Sequence, residues 1–157
     1  MMFRPVVFFF AVVAFASSLV CAAPVAEIAT RQIGDIQCNI NRLSFVGDIA
    51  GLQITLKTLS AQTADDRDPT ASAGIQSVTN NISAVQSALG TIAEAILTGQ
   101  AVPAEARVQV ESNLAAAQST LAEITSADPA VTANLQNAKT QMQNVDLVGS
   151  GILVNCK

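Results

Sequence analysis

The chain holds three cysteines and no histidine, so whatever chemistry it can do starts from sulfur and carboxylate. Cys21 falls beside an apolar N-terminal run, whereas Cys38 and Cys156 stand near opposite ends of the remaining chain. A thiol nucleophile needs a base to activate it, and a cysteine–histidine pair cannot be assembled here. Zinc sites built on so few thiolates borrow imidazoles, which are also missing. In an oxidising compartment an even pair of cysteines pairs as a disulfide. Joining Cys38 to Cys156 would close a loop of about 119 residues and contribute up to roughly 5 kcal/mol on the chain-entropy model.

The other dense group is Asp65, Asp66 and Asp68 around Arg67. Clustered carboxylates suit calcium, but these lack the ligand spacing and glycine of an EF-hand loop. The plainer reading is a solvated turn whose last member, Asp68, caps the helix opened by Pro69. Glu94, Glu105, Glu111 and Glu123 read as helix-surface residues, and no glycine-rich phosphate loop occurs. Neither an enzymatic activity nor a cofactor nor a metal is expected. One modification signal is specific: Asn81-Ile82-Ser83 is a glycosylation sequon. Its middle residue belongs to an apolar seam, and Asn81 falls within a helix rather than a loop.

Helices must position these residues. From Asp35 to Leu59 the apolar positions Ile36, Ile40, Leu43, Val46, Ile49, Leu52, Leu56 and Leu59 recur at threes and fours. A second stripe, Ile75, Val78, Ile82, Val85, Leu89, Ile92 and Ile96, alternates three and four throughout, as a heptad seam does. Gly99 ends that helix, and Pro103 opens a third whose inward face is expected at Ala106, Val110, Leu114, Ala117, Leu121 and Ile124. Asp128-Pro129 opens a fourth carrying Val131, Leu135, Ala138, Met142, Val145 and Val148, which Gly149-Ser150-Gly151 is expected to loosen. Four amphipathic helices on short connections make an all-α antiparallel bundle. That topology returns the end of the fourth helix to the start of the first, bringing Cys38 near Cys156.

The N-terminus reads as a leader rather than as fold. Arg4, the apolar run from Val6 to Val20 and the small residues Cys21, Ala22 and Ala23 follow the order of a cleaved signal peptide over residues 1–23. The run is short for a membrane span. Residues 24–31 end in Arg31 and form a short candidate pro-segment, which leaves residues 32–157 as the helical domain. From Gln32 onward six basic and eleven acidic residues give a net charge of −5. No basic patch is available to neutralise phosphates, so nucleic acid is excluded as a partner. Secretion without an integral membrane anchor is expected.

Charged residues are only 13% of the chain while half of it is hydrophobic. The stripes account for a bundle core in any case. Small core side chains also allow helices to part and hold an acyl chain between them. Under that reading the lining comes from Val78, Ile82, Val85, Leu89, Leu114, Leu121, Leu135 and Met142.

The segments Leu97-Thr98-Gly99-Gln100-Ala101-Val102-Pro103 and Asp146-Leu147-Val148-Gly149-Ser150-Gly151-Ile152-Leu153-Val154-Asn155-Cys156, behind a leader and in an Ala/Ser/Thr-rich helical domain, resemble the fungal hydrophobic surface binding protein A family, which includes cell-wall galactomannoproteins. The resemblance covers the chain from about Gln37 onward and rests on composition and layout. It implies a helical protein secreted to the medium or wall. It further implies adsorption to hydrophobic solids, assistance to secreted hydrolases, and binding of lipids such as fatty acids. An antigenic or structural wall mannoprotein without a small-molecule ligand is the alternative. Covalent wall anchoring is not expected, because no Ser/Thr-rich tail and no apolar anchor signal precede Lys157.

Overall fold

The computed structural model describes residues 36–65 and 68–156. The expected leader (1–23), the candidate pro-segment (24–31), Asp66, Arg67 and Lys157 lie outside the described residues. Four helices make up the fold: α1 (Ile36–Asp65), α2 (Pro69–Leu97), α3 (Ala104–Glu123) and α4 (Pro129–Asn155). No strand occurs among the described residues. The expected all-α bundle is present, joined by turns at the anticipated positions.

Local chemistry sets the helix ends. Asp68 accepts from Ala71 N at 3.0 Å, and Asp128 accepts from Ala130 N at 2.7 Å and Val131 N at 2.9 Å. Each satisfies backbone donors that a helix start leaves open, with proline at the next position, where no amide is missed. At the far end of α2, Gly99 has φ +67°. Gly99 N donates to Ile96 O at 3.2 Å and Gln100 N to Ala95 O at 2.8 Å. These are the two reverse bonds of a Schellman ending.

α1 departs from expectation at both ends. It continues past Leu59 to Asp65, because Thr63 supplies one more inward position. Thr63 is buried, and its hydroxyl donates to Leu59 O at 3.0 Å. At the other end Ile36, Ile40, Leu43 and Val46 are exposed rather than inward. The buried line is Cys38, Phe45, Ile49, Leu52, Leu56, Leu59 and Thr63. Two independent apolar stripes are wound on one helix, and packing selects the stripe that carries the cysteine and the aromatic ring.

α1 and α4 pack intimately and in constant register. Cys38 joins Cys156, Phe45 lies over Gly149, Asn41 over Gly151, Gly51 beside Gln141, and Asn134 donates to Gln62 at 2.9 Å. The three-residue glycine segment does not loosen α4, which runs unbroken to Asn155. Its glycines instead admit the neighbouring helix: a Cβ at Gly149 would lie 3.3 Å from the Phe45 ring, and one at Gly151 would lie 2.8 Å from Asn41 Nδ2. α2 and α3 form the second intimate pair, and α3 touches α4 least of the neighbouring helices.

Candidate apolar site at the seam between α3 and α4

The core is not uniform along the bundle. In the half where α1 meets α2 and α3 meets α4, the inward side chains are closed off from solvent. Leu52, Leu56, Leu59, Ile75, Val78, Ile82, Leu121, Val131 and Met142 are all at most 2% exposed. Towards the other pole, where the disulfide sits, Cys38, Ala88, Ala95 and Ala106 are closed off, but larger aliphatic side chains of the same stripes stay only half-buried. Leu89, Ile92 and Ile96 on α2, Val110 and Leu114 on α3, and Val148 and Ile152 on α4 are all of this kind. Five of them, Leu89, Val110, Leu114, Val148 and Ile152, pack directly on the closed core.

The weakest seam is the one between α3 and α4, for a visible reason. Polar groups, rather than interlocked aliphatics, bridge it. Gln118 Nε2 donates to Asp146 Oδ2 at 2.6 Å. Lys139 Nζ donates to Ala122 O at 3.2 Å and to Ile124 O at 3.5 Å. The lysine thus satisfies carbonyls that the end of α3 leaves open, where its charge also complements the helix dipole. Between these two bridges lies an open groove of about 170 Å³, lined by Gln118, Leu121 and Ala122 of α3 and Lys139, Met142 and Gln143 of α4. Leu121 and Met142 are its buried apolar members. A groove of this size is below the roughly 300–1,000 Å³ of most small-molecule pockets. It is a shallow surface groove, not a finished cavity.

Beyond Gln118 and Asp146 the seam faces the disulfide pole. Leu153, two turns past Asp146 on the same side of α4, is exposed, as is Leu97 at the end of α2. Between Leu147 and Cys156 there is no ionisable group except the bonded Cys156 itself, and none between Ala95 and Ala104. The ends of α2 and α4 at that pole are therefore uncharged, while the starts of α1 and α3 beside them carry Arg42, Glu105 and Arg107.

The residues expected to line a ligand site divide into two sets. Val78, Ile82, Val85 and Leu135 are buried in the closed core; they are packing residues in this arrangement. Leu121 and Met142 reach the groove, and Leu89 and Leu114 belong to the half-buried zone. Gln118, Lys139 and Asp146 escaped notice in the sequence, since single polar residues on helices carry no spacing signal. Asn81 is half-buried in the middle of α2, and the Ser83 hydroxyl of its sequon donates to Thr79 O at 2.9 Å.

The disulfide is formed as expected, with Sγ–Sγ 2.00 Å and Cα–Cα 5.1 Å between Cys38 and Cys156. Among the described residues no three His, Cys, Asp or Glu side chains converge on a point that could hold a metal ion. No helix among them is long and apolar enough to cross a membrane. Comparison of the chain with protein-family models, with curated proteins and with solved structures finds no match.

Proposed function

We propose that this protein is a secreted, non-enzymatic module that binds apolar material, with a fatty-acid-like lipid taken up between the helices of its disulfide-bonded half. One observation carries the reading: inward aliphatic side chains of α2, α3 and α4 remain only partly buried there, next to the polar-bridged seam of α3 and α4. Folding normally closes such a core, because each buried aliphatic side chain stabilises by about 1.5–3 kcal/mol. An acyl chain laid along Leu89, Leu114 and Ile152 would complete that burial without a new fold. The rim offers hydrogen-bonding side chains at Gln118 and Gln143 and a cation at Lys139, which suits a ligand with one polar end.

Adsorption to hydrophobic solids is the second form of the same activity, favoured by the exposed Leu97 and Leu153 on the uncharged ends of α2 and α4. Titration of the purified protein with a fluorescent fatty acid, alongside depletion onto polymer beads, tests both forms. Saturable binding to the fatty acid is expected, with competition by unlabelled lipid. Absence of saturable binding to either the lipid or the beads would sink the proposal and leave a wall protein with a filled core.

A further inference from the structure

The solvent face of α1 carries a second seam that the bundle does not use. Ile36, Ile40, Leu43, Gly47, Ala50 and Ile54 follow one another at steps of four, three, four, three and four, the spacing of a coiled-coil contact line. They lie on the opposite side of the helix from Phe45, Leu52 and Leu59. Ile36 is 80% exposed, Leu43 73% and Ile54 70%, while Ala50 is half-buried. A side chain added at Gly47 would meet nothing within 4 Å. Exposed aliphatics scattered singly need no explanation, but a periodic line of them on one helix does.

We propose that this face is the contact between two copies of the chain, with the α1 helices crossing antiparallel about the level of Phe45. The line is complementary to itself in that orientation. Leu43 falls opposite Gly47 of the second copy, Ile40 opposite Ala50, and Ile36 opposite Ile54. Large side chains meet small ones around the axis, and the ends close with isoleucine on isoleucine. A two-fold axis repeats every contact, as an isologous dimer requires. In a parallel pairing Gly47 would face Gly47 and leave a gap while Leu43 met Leu43. The flanking side chains Gln37, Asn39, Ser44, Gln53 and Thr58 are uncharged, and the exposed Lys57 lies near one end of the line, far from its own copy in an antiparallel pair.

The face is long and narrow. From Ile36 to Ile54 it runs about 28 Å. One helix wide, the strip is smaller than the roughly 800 Å² that each partner contributes to a standard interface, which fits a weak, concentration-dependent dimer. It contains no Trp, Tyr or Arg of the kind that anchors contacts between unlike proteins. This proposal stands apart from ligand binding, since the groove between α3 and α4 lies elsewhere on the bundle.

Sedimentation equilibrium of the purified, disulfide-intact protein from micromolar to millimolar concentration tests it. A reversible monomer–dimer equilibrium is expected. Gly47→Leu should weaken dimerisation at least about tenfold by filling the hole that receives Leu43, while its helicity stays equal or rises because the monomer has room there. Leu43→Asp should abolish the dimer. Spin labels on Thr58→Cys should lie about 40 Å apart across the antiparallel dimer, against about 10 Å in a parallel one. A protein that remains monomeric throughout, a dimer indifferent to Gly47→Leu, or the short label distance would each overturn the proposal. Should the monomer instead lose adsorption to polymer beads through Leu43→Asp, the face meets an apolar phase and not a second copy.

Discussion

Ile124 is packed so closely on Gly74 that a Cβ built on the glycine would lie 2.8 Å from Ile124 Cγ1 and 2.9 Å from Cδ1. Ile124 is the first residue after α3, in extended conformation with φ −69° and ψ 127°. It drops from the end of a short helix onto the first turns of α2, where α3 no longer reaches. The contact plugs the closed end of the core.

Gly74→Ala is therefore expected to destabilise the protein by about 1–2 kcal/mol, since a stiff, buried side chain must move. Gly90, on the same helix, has nothing within 4 Å of an added Cβ. Gly90→Ala should stabilise by roughly 0.5–1 kcal/mol through helix propensity alone. Urea unfolding followed by far-ultraviolet circular dichroism measures both; equal effects of the same sign would contradict the packing at Gly74.

Reduction of Cys38–Cys156 is expected to lower stability by about 3–5 kcal/mol, as the bond spans 118 residues and restricts the unfolded chain. Denaturant midpoints with and without reductant give the difference, and Cys38→Ser with Cys156→Ser should match the reduced protein. A change below about 1 kcal/mol would show that the α1–α4 packing holds the chain ends together by itself.

The two aspartate caps should not be equal. Asp128 serves two amides and Asp68 one. Asp128→Ala is expected to cost about 1–2 kcal/mol and Asp68→Ala about 0.5–1 kcal/mol, again by denaturant midpoint. The reverse order would mean that the contacts around these turns outweigh the caps.

Gln141 Oε1 is buried without a hydrogen-bond partner, against α1 near Gly51. An unsatisfied acceptor of this kind costs about 1–3 kcal/mol. Gln141→Met removes the acceptor at similar volume and should raise the thermal midpoint. A lowered midpoint would show that the amide is satisfied in solution.

Opening the seam should speed the ligand's entry, although Gln118 and Lys139, which bridge it, belong to the rim that would hold the ligand's polar end. Gln118→Ala combined with Lys139→Ala removes both bridges between α3 and α4. Stability should fall by about 1–2 kcal/mol, while the association rate of a fluorescent fatty acid increases. With no Trp or Tyr in the chain, the probe signal has no competing fluorescence. A slower association would place the entry elsewhere.

Much of this fold was legible residue by residue. The heptad from Ile75 to Ile96, the caps at Asp68 and Asp128 and the ending at Gly99 each depend on a few neighbouring residues. Local steric and hydrogen-bonding rules act on them directly. The cysteine pair was legible too, since four helices on short turns return the chain to its start. The groove was not, because Gln118, Lys139 and Asp146 act across a gap between residues far apart in sequence.

The sequence by itself determined where α2, α3 and α4 begin and where α2 ends, because those limits follow from proline, glycine and capping chemistry within a turn of the residue concerned. It left open the rotation of α1, which bears apolar stripes on opposite faces. Only the tertiary structure decided that Cys38 and Phe45 turn inward while Ile36, Ile40 and Leu43 face solvent. The disulfide and the fit of the Phe45 ring over Gly149 engage α4 on one face of α1 alone. The same fit turned Gly149 and Gly151 from candidate helix breakers into contact points, since burial against a neighbouring helix outweighs their weak local propensity.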